Sequence, residues 1–265
     1  MTAERRSAKA GAPRSGEPWA AALQIGIMMS AEPIGSPFRV FVGYDSREDI
    51  AFRVCEASMR CRSSIALDVR PIAQADLRAR GLYWRAKDPL ASTEFTYTRF
   101  LTPYLAGYQG WALFCDCDFL WLADVAELLA LADPTKAVMC VHHDHRPTED
   151  TKMDGAVQTT YPRKNWSSLM LFNCGHPMAR SLTPQVVNTQ SGAYLHRMQW
   201  AADEAIGALP STWNWLEGSM PKPVDGTPAA VHFTRGGPWF ENWQDVDYGD
   251  LWLSECAALD APGRT

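Results

Sequence analysis

Two aspartates one residue apart, Asp116-Cys117-Asp118, follow directly on five apolar residues, Trp111-Ala112-Leu113-Phe114-Cys115. Alternate residues of an extended chain face the same side, so the two carboxylates converge. At the carboxyl end of a strand they stand where α/β sheets hold ligands. Neighbouring carboxylates repel one another, which favours recruiting a hard divalent cation such as Mg2+ or Mn2+. Such a cation can bridge the phosphates of a nucleotide and neutralise a departing diphosphate. Any pair of turn aspartates satisfies the spacing, but the apolar lead-in without Gly or Pro argues for a buried strand rather than a surface turn. A second group, His142-His143-Asp144-His145, gathers three imidazoles and a carboxylate and admits a Zn2+ or Ni2+ site. Adjacent residues on one loop point in alternate directions, so an acceptor-facing or solvated loop is expected there instead.

The hydrophobic pattern gives the elements that must position these residues. Residues 38–43 read as a buried strand that Tyr44-Asp45-Ser46 breaks, and Ser46 with Glu48 and Asp49 opens a helix continuing over 50–61. A second strand is expected at 65–69. A helix follows over 93–105, kinked or ended at Pro103, and then the strand at 111–115. A helix at 124–131, strands at 137–141 and 166–173, a helix at 198–208 and a strand at 229–233 complete the order. Strands alternating with helices predict an α/β fold with a mainly parallel sheet flanked by helices. Residues 1–37, rich in Ala, Gly, Pro and Ser with scattered Arg, read as a disordered N-terminal extension, leaving 38–265 as one domain.

Blocks on either side of the aspartates carry a family resemblance. Thr96-Tyr97-Thr98-Arg99-Phe100-Leu101 comes before them, and Leu122-Ala123-Asp124-Val125-Ala126-Glu127-Leu128 after. Farther on stand Asn165-Trp166-Ser167-Ser168, Asp203-Glu204, Leu209-Pro210 with Trp213-Asn214, and His232-Phe233-Thr234-Arg235-Gly236-Gly237-Pro238-Trp239. In this order, over roughly 38–243, they resemble the retaining glycosyltransferases of family eight, the glycogenin-like and lipopolysaccharide galactosyltransferase-like enzymes. The resemblance implies a GT-A-type, Rossmann-like fold, a UDP-sugar donor, and Mn2+ (or Mg2+) held by Asp116, Asp118 and His232. It implies donor contacts from Gly43, Tyr44 and Asp45 at the end of the first strand, from Arg99, and from Ser167. It sets Asp203 and Glu204 below the donor sugar, where Glu204 replaces the family's Gln. A carboxylate there can act as nucleophile or stabilise an oxocarbenium ion, and front-face departure and attack is the other route to retention. The closing block lacks the family's Lys, so Arg235 and the amides of Gly236 and Gly237 are expected to meet the diphosphate.

Composition limits the alternatives. With 25 Lys+Arg against 30 Asp+Glu, the net charge of −5 excludes a generic binder of nucleic acid or anionic membrane. No apolar run reaches the roughly 18 residues of a membrane span, so membrane association is expected to be peripheral at most. Seven cysteines, an odd number, do not suit a secreted disulfide framework and point to a reduced, cytoplasmic setting. At family level the expectation is a bacterial enzyme whose acceptor is a glycan, glycolipid or small molecule, shaped by residues 142–164 and 211–225. A non-catalytic nucleotide- or sugar-binding protein on the same fold is the alternative that the altered closing block supports. A nucleotidyltransferase would need a Gly-rich, basic loop where Tyr44-Asp45-Ser46-Arg47-Glu48 stands.

Overall fold

Branched and aromatic side chains dominate the first and third strands, and Val40, Val42, Leu113 and Phe114 have no exposed surface, as strands covered on both faces require. The computed structural model describes residues 36–89, 91–143, 163–223 and 226–259. The expected extension at 1–37 lies outside them apart from Ser36 and Pro37, as do Asp144 and His145. The strands are β1 (Phe38–Tyr44), β2 (Leu67–Ala73), β3 (Trp111–Cys115), β4 (Phe119–Trp121), β5 (Val138–Val141), β6 (Leu169–Asn173), β7 (Ile206–Leu209), β8 (Trp215–Leu216) and β9 (Ala230–His232). The helices are α1 (Asp49–Arg62), α2 (Gln74–Ala79), α3 (Thr102–Leu105), α4 (Val125–Leu129), α5 (Pro177–Arg180), α6 (Pro184–Thr189), α7 (Gly192–His196) and α8 (Gly249–Ala258).

Six strands form the central sheet in the order β2-β1-β3-β6-β5-β7. β1 pairs in parallel with β2 and β3, and β5 with β7, while β6 is antiparallel to both β3 and β5. Every strand except β6 therefore runs the same way. The carboxyl ends of β1, β3, β5 and β7 share one edge, and Asp45 and Asp116 directly follow β1 and β3 there. A second sheet, β4-β9-β8, sets Phe119 opposite His232. It closes over α1 and α8 through a smaller cluster containing Val54, Leu120, Trp215, Phe233 and Trp252.

The strands expected at 38–43, 111–115, 137–141 and 229–233 form within a residue or two of those bounds. Other elements differ for identifiable reasons. The helix read over 93–105 is a 3-10 turn, Thr98–Leu101, running into α3, where Pro103 occupies the first turn and its missing N–H costs nothing. The strand read from 166 starts only at Leu169, after a 3-10 turn. β2 extends through Pro71, which an edge strand tolerates. The helix read over 198–208 does not form. Met198 takes a left-handed φ of 53°, and the chain enters β7 at Ile206 to pair with β5.

Gly43 owes its place to a close approach. A Cβ there would lie 2.5 Å from the Cγ and Cδ2 of Phe95. Gly43→Ala is expected to lower stability by about 1–3 kcal/mol through overpacking, read as an earlier urea midpoint at unchanged slope.

Candidate active site

Strand pairing carries the chain past β3 and fixes the first aspartate: the Asp116 N–H donates to the Ser168 carbonyl at 2.9 Å. Two residues on, the Asp118 carbonyl accepts from the Phe233 N–H at 3.0 Å, which ties the loop to the end of β9. The β4–β9 pairing then lays the His232 imidazole on the Phe119 ring, with centroids 4.4 Å apart and planes 16° from parallel. One ligand atom from each of Asp116, Asp118 and His232 lies within 4.8 Å of the others. The structure thus brings together the three residues expected to hold a metal.

A hydrogen-bond chain fixes the orientation of the imidazole. Ser168 Oγ donates to the Asn165 carbonyl at 2.7 Å, so the same oxygen accepts from Asn214 Nδ2 at 2.9 Å. Asn214 Oδ1 is left to accept from His232 Nδ1–H at 2.9 Å. This order assigns the tautomer through the network. Nε2, the other ring nitrogen, lies 3.3 Å from Asp118 Oδ2. Two carboxyl groups and an imidazole nitrogen converge here, a donor set that suits a divalent cation.

Arg99 is the cation built into the site. It is 6% exposed, and its Nη1 sits 2.9 Å from Asp116 Oδ1 and 2.9 Å from the Ser167 carbonyl. Its guanidinium lies over the rings of Phe95 and Phe114 at 5.2 and 5.3 Å. Burial nevertheless pushes the Asp116 carboxyl up to about 7, with Asp118 adding to the rise and Arg99 opposing it. Ser167 Oγ lies 2.9 Å from Nδ1 of His196. Burial, reinforced by Arg99, lowers the His196 pKa to about 3, and the ring also bonds the Thr96 backbone. His196 is therefore neutral and accepts the Ser167 proton, which leaves the serine lone pairs available to a ligand hydroxyl.

Two of these residues carry no sequence signal. Glu48 reads as an ordinary acid at a helix start, yet burial, then Asp118 and Asp45, push its carboxyl up to about 7. It accepts from Cys117 Sγ at 3.6 Å. His196 belongs to no block of the pattern and meets Ser167 only through the tertiary fold.

The other expected contacts are held by protein partners. Asp45, fully buried, takes the Arg47 fork at 2.9 and 2.7 Å and the backbone N–H groups of Arg47 and Glu94 at 3.0 and 3.1 Å. Burial works to raise its pKa, but these donors bring it below the ordinary value. Tyr44 donates to Asp49 Oδ1 at 2.8 Å. Together these contacts hold the turn between β1 and α1. Arg235 Nη2 lies 3.3 Å from the buried Glu217 carboxylate, and the guanidinium covers the Trp243 ring at 5.3 Å. Gly236, at φ 115°, closes the turn after His232 by donating to the Phe233 carbonyl.

Asp203 and Glu204 are not brought to the carboxylate cluster. They form the 3-10 turn that enters β7. Since β7 and β3 run the same way, Glu204 stands at the amino end of the strands, opposite Asp116. Glu204 is exposed, and Lys136 Nζ donates to its backbone carbonyl at 2.8 Å. The Asp203 carboxylate pairs with Arg163 at 2.5 Å. Of the histidine cluster, His142 stacks on Trp166 with centroids 3.9 Å apart.

No protein-family model matches the chain. Protein CDI of Arabidopsis thaliana is 60% identical over 222 residues, covering 83% of this chain and 86% of that protein. Among solved structures, the bifunctional glycosyltransferase WbbM aligns with a TM-score of 0.54 at 17% identity, over 86% of this chain and 50% of its own. The glycosyltransferase GlyE of Streptococcus pneumoniae TIGR4 gives 0.54 at 13% identity, over 83% of this chain and 60% of its own. The galactosyltransferase LgtC, solved with donor and acceptor sugar analogues, gives 0.52 at 11%, over 84% of this chain and 97% of its own. The chain thus spans half of WbbM, three-fifths of GlyE and nearly all of LgtC, and it shares their GT-A glycosyltransferase fold.

Proposed function

The chain belongs to the family of Arabidopsis thaliana Protein CDI, and from its GT-A fold and its Asp-Asp-His cluster we propose a cation-dependent glycosyltransferase. In this reading it moves a sugar from a nucleotide-diphosphate sugar, a UDP-sugar in the first instance, to an acceptor, with retention at the anomeric carbon. The observation that carries the reading is the convergence of Asp116, Asp118 and His232, with the His232 ring oriented by Asn214. These three residues would hold Mn2+ or Mg2+, which when bound supplies positive charge to the leaving diphosphate.

The chain's own groups do the rest. Arg99 holds Asp116 in place, and Ser167, its proton committed to His196, accepts a hydrogen bond from a donor-sugar hydroxyl. The turn held by Tyr44 and Asp45 shapes the nucleoside side, and Gly43 lets Phe95 pack beneath it. Arg235, three residues beyond His232, faces the diphosphate, with the Glu217 carboxylate as its resting partner, whereas the Gly236 N–H is already committed to the Phe233 carbonyl. Asp203 and Glu204 stand away from the carboxylate cluster, and in this reading retention proceeds by departure and attack on one face of the sugar. The setting we propose is cytoplasmic; no helix among the described residues is long and apolar enough to cross a membrane.

Asn214 is the positioning residue of this site. Asn214→Ala is expected to weaken Mn2+ binding about 10- to 100-fold, the usual cost of losing a partner that orients a metal-binding histidine, as read by titration of Mn2+ with UDP present. The reading as a whole is tested by offering UDP- and GDP-hexoses with Mn2+ and following the products by proton NMR. Slow release of UDP from an α-linked donor, with the α-sugar appearing first, supports it. A β-sugar appearing first overturns retention. Binding without any release assigns the chain to the non-catalytic alternative.

A further inference from the structure

Away from the carboxylates, Arg163, Arg197, Met198, Gln199, Ala201 and Asp203 line a cavity of about 290 Å3, close to the lower end for small-ligand sites. Arg197 Nε is shielded from solvent and has no hydrogen-bond partner among the described residues. A shielded guanidinium donor left unpaired is costly, so the arrangement favours a ligand that meets it. Arg163 is pinned beside it: Nη1 donates to the Arg197 carbonyl at 2.8 Å, and the guanidinium lies over the Trp166 ring at 5.3 Å. The carboxylate in the cavity wall, Asp203, pairs with Arg163 at 2.5 Å, but its side chain is 80% exposed. Such a water-screened partner is readily exchanged.

The lining residues thus include two arginines and one aspartate, in a chain of net charge −5. Arginine forks match the planar carboxylate and the phosphate oxygens. Two of the lining residues neighbour members of the site already described along the chain. Arg197 directly follows His196, which holds Ser167, and Arg163 stands two residues before Asn165, the head of the hydrogen-bond chain to His232. We propose that Arg197 and Arg163 bind an oxyanion, a carboxylate or a phosphate monoester, and that the acceptor carries it. Naming the acceptor as its carrier rests on the transferase reading; the binding of the oxyanion does not.

The test titrates glucuronate, inorganic phosphate and glucose into the full chain by calorimetry, with and without Mg2+ and UDP. An anion is expected to bind at least about tenfold more tightly than glucose, and increasingly so at low salt. Preference for glucuronate identifies a carboxylate, and preference for phosphate a phosphate monoester. Arg197→Gln is expected to weaken the anion at least about tenfold. Asp203→Asn, a surface change that leaves the fold intact, is expected to strengthen it about threefold by removing the competing carboxylate. Anions and glucose binding alike, or Arg197→Gln leaving anion affinity unchanged, would overturn the proposal. Should Arg197→Gln not fold, an unchanged affinity in Asp203→Asn overturns it by itself. Failure of UDP and Mg2+ to bind would remove the transferase reading, while the titration without them still decides the anion site.

Discussion

Asp116→Asn and Asp118→Asn, singly or together, are expected to lower sugar transfer at least about 10^3-fold, because a bound cation contributes several kcal/mol of charge stabilisation at the leaving group. Asparagine keeps the shape and removes the charge, so the loss is electrostatic rather than one of folding. The stability of the same variants separates function from fold. Burial, with Asp118 beside it, holds the Asp116 carboxyl at about 7, above its ordinary value. A carboxyl whose folded pKa is raised favours the native state when protonated, and that contribution is lost as pH rises through the folded value. Glu48, also pushed up to about 7, acts in the same direction. Each of the two carboxyls is therefore expected to cost the cation-free protein roughly 2–3 kcal/mol between about pH 5 and pH 8. Asp116→Asn should flatten that slope in urea unfolding while abolishing transfer. An active Asp116→Asn protein would remove the cation from the proposal.

Arg99→Met is expected to cost about 3–5 kcal/mol near pH 8, since it strands a buried carboxylate that had a cation at 2.9 Å. Methionine fills much of the same volume against Phe95 and Phe114, so packing changes little. With Arg99 gone, the Asp116 carboxyl rises further and takes up a proton more readily. The penalty should shrink as pH falls below about 7, because a protonated Asp116 no longer needs a partner. Urea midpoints at the two pH values check this. An equal loss at both would assign the cost to the lost Ser167 hydrogen bond rather than to the ion pair.

The Asp-Asp-His cluster was legible in the sequence because its parts lie in short, ordered blocks. An apolar strand that ends in Asp-x-Asp shows itself by pattern, and His232 is marked by the Gly-Gly-Pro-Trp that follows it. Residues that act through the tertiary fold left no such mark. Glu48 looks like any helix-start acid until α1 docks beside Asp118, and Arg163 and Arg197, 34 residues apart, converge only after β6 and β7 take their places. Asp203-Glu204 shows the opposite failure. The pair occupies the right order in the chain, but the helix read over 198–208 does not form. The turn leads straight into β7, which carries Glu204 to the far end of the strands. Likewise, the alternation of elements implied a mainly parallel sheet but held no sign that β6 runs against its neighbours.

Thermal unfolding of the wild-type chain and of the Asp116→Asn/Asp118→Asn variant, with UDP in the presence and absence of Mn2+, examines the carboxylate–histidine cluster itself. A ligand that binds only the native state raises the unfolding temperature by an amount that grows with the logarithm of its concentration relative to Kd. The proposal requires a rise that needs UDP and Mn2+ together in the wild type and is lost in the variant. A rise that persists in the variant, a rise indifferent to Mn2+, or none with either UDP or GDP would contradict it.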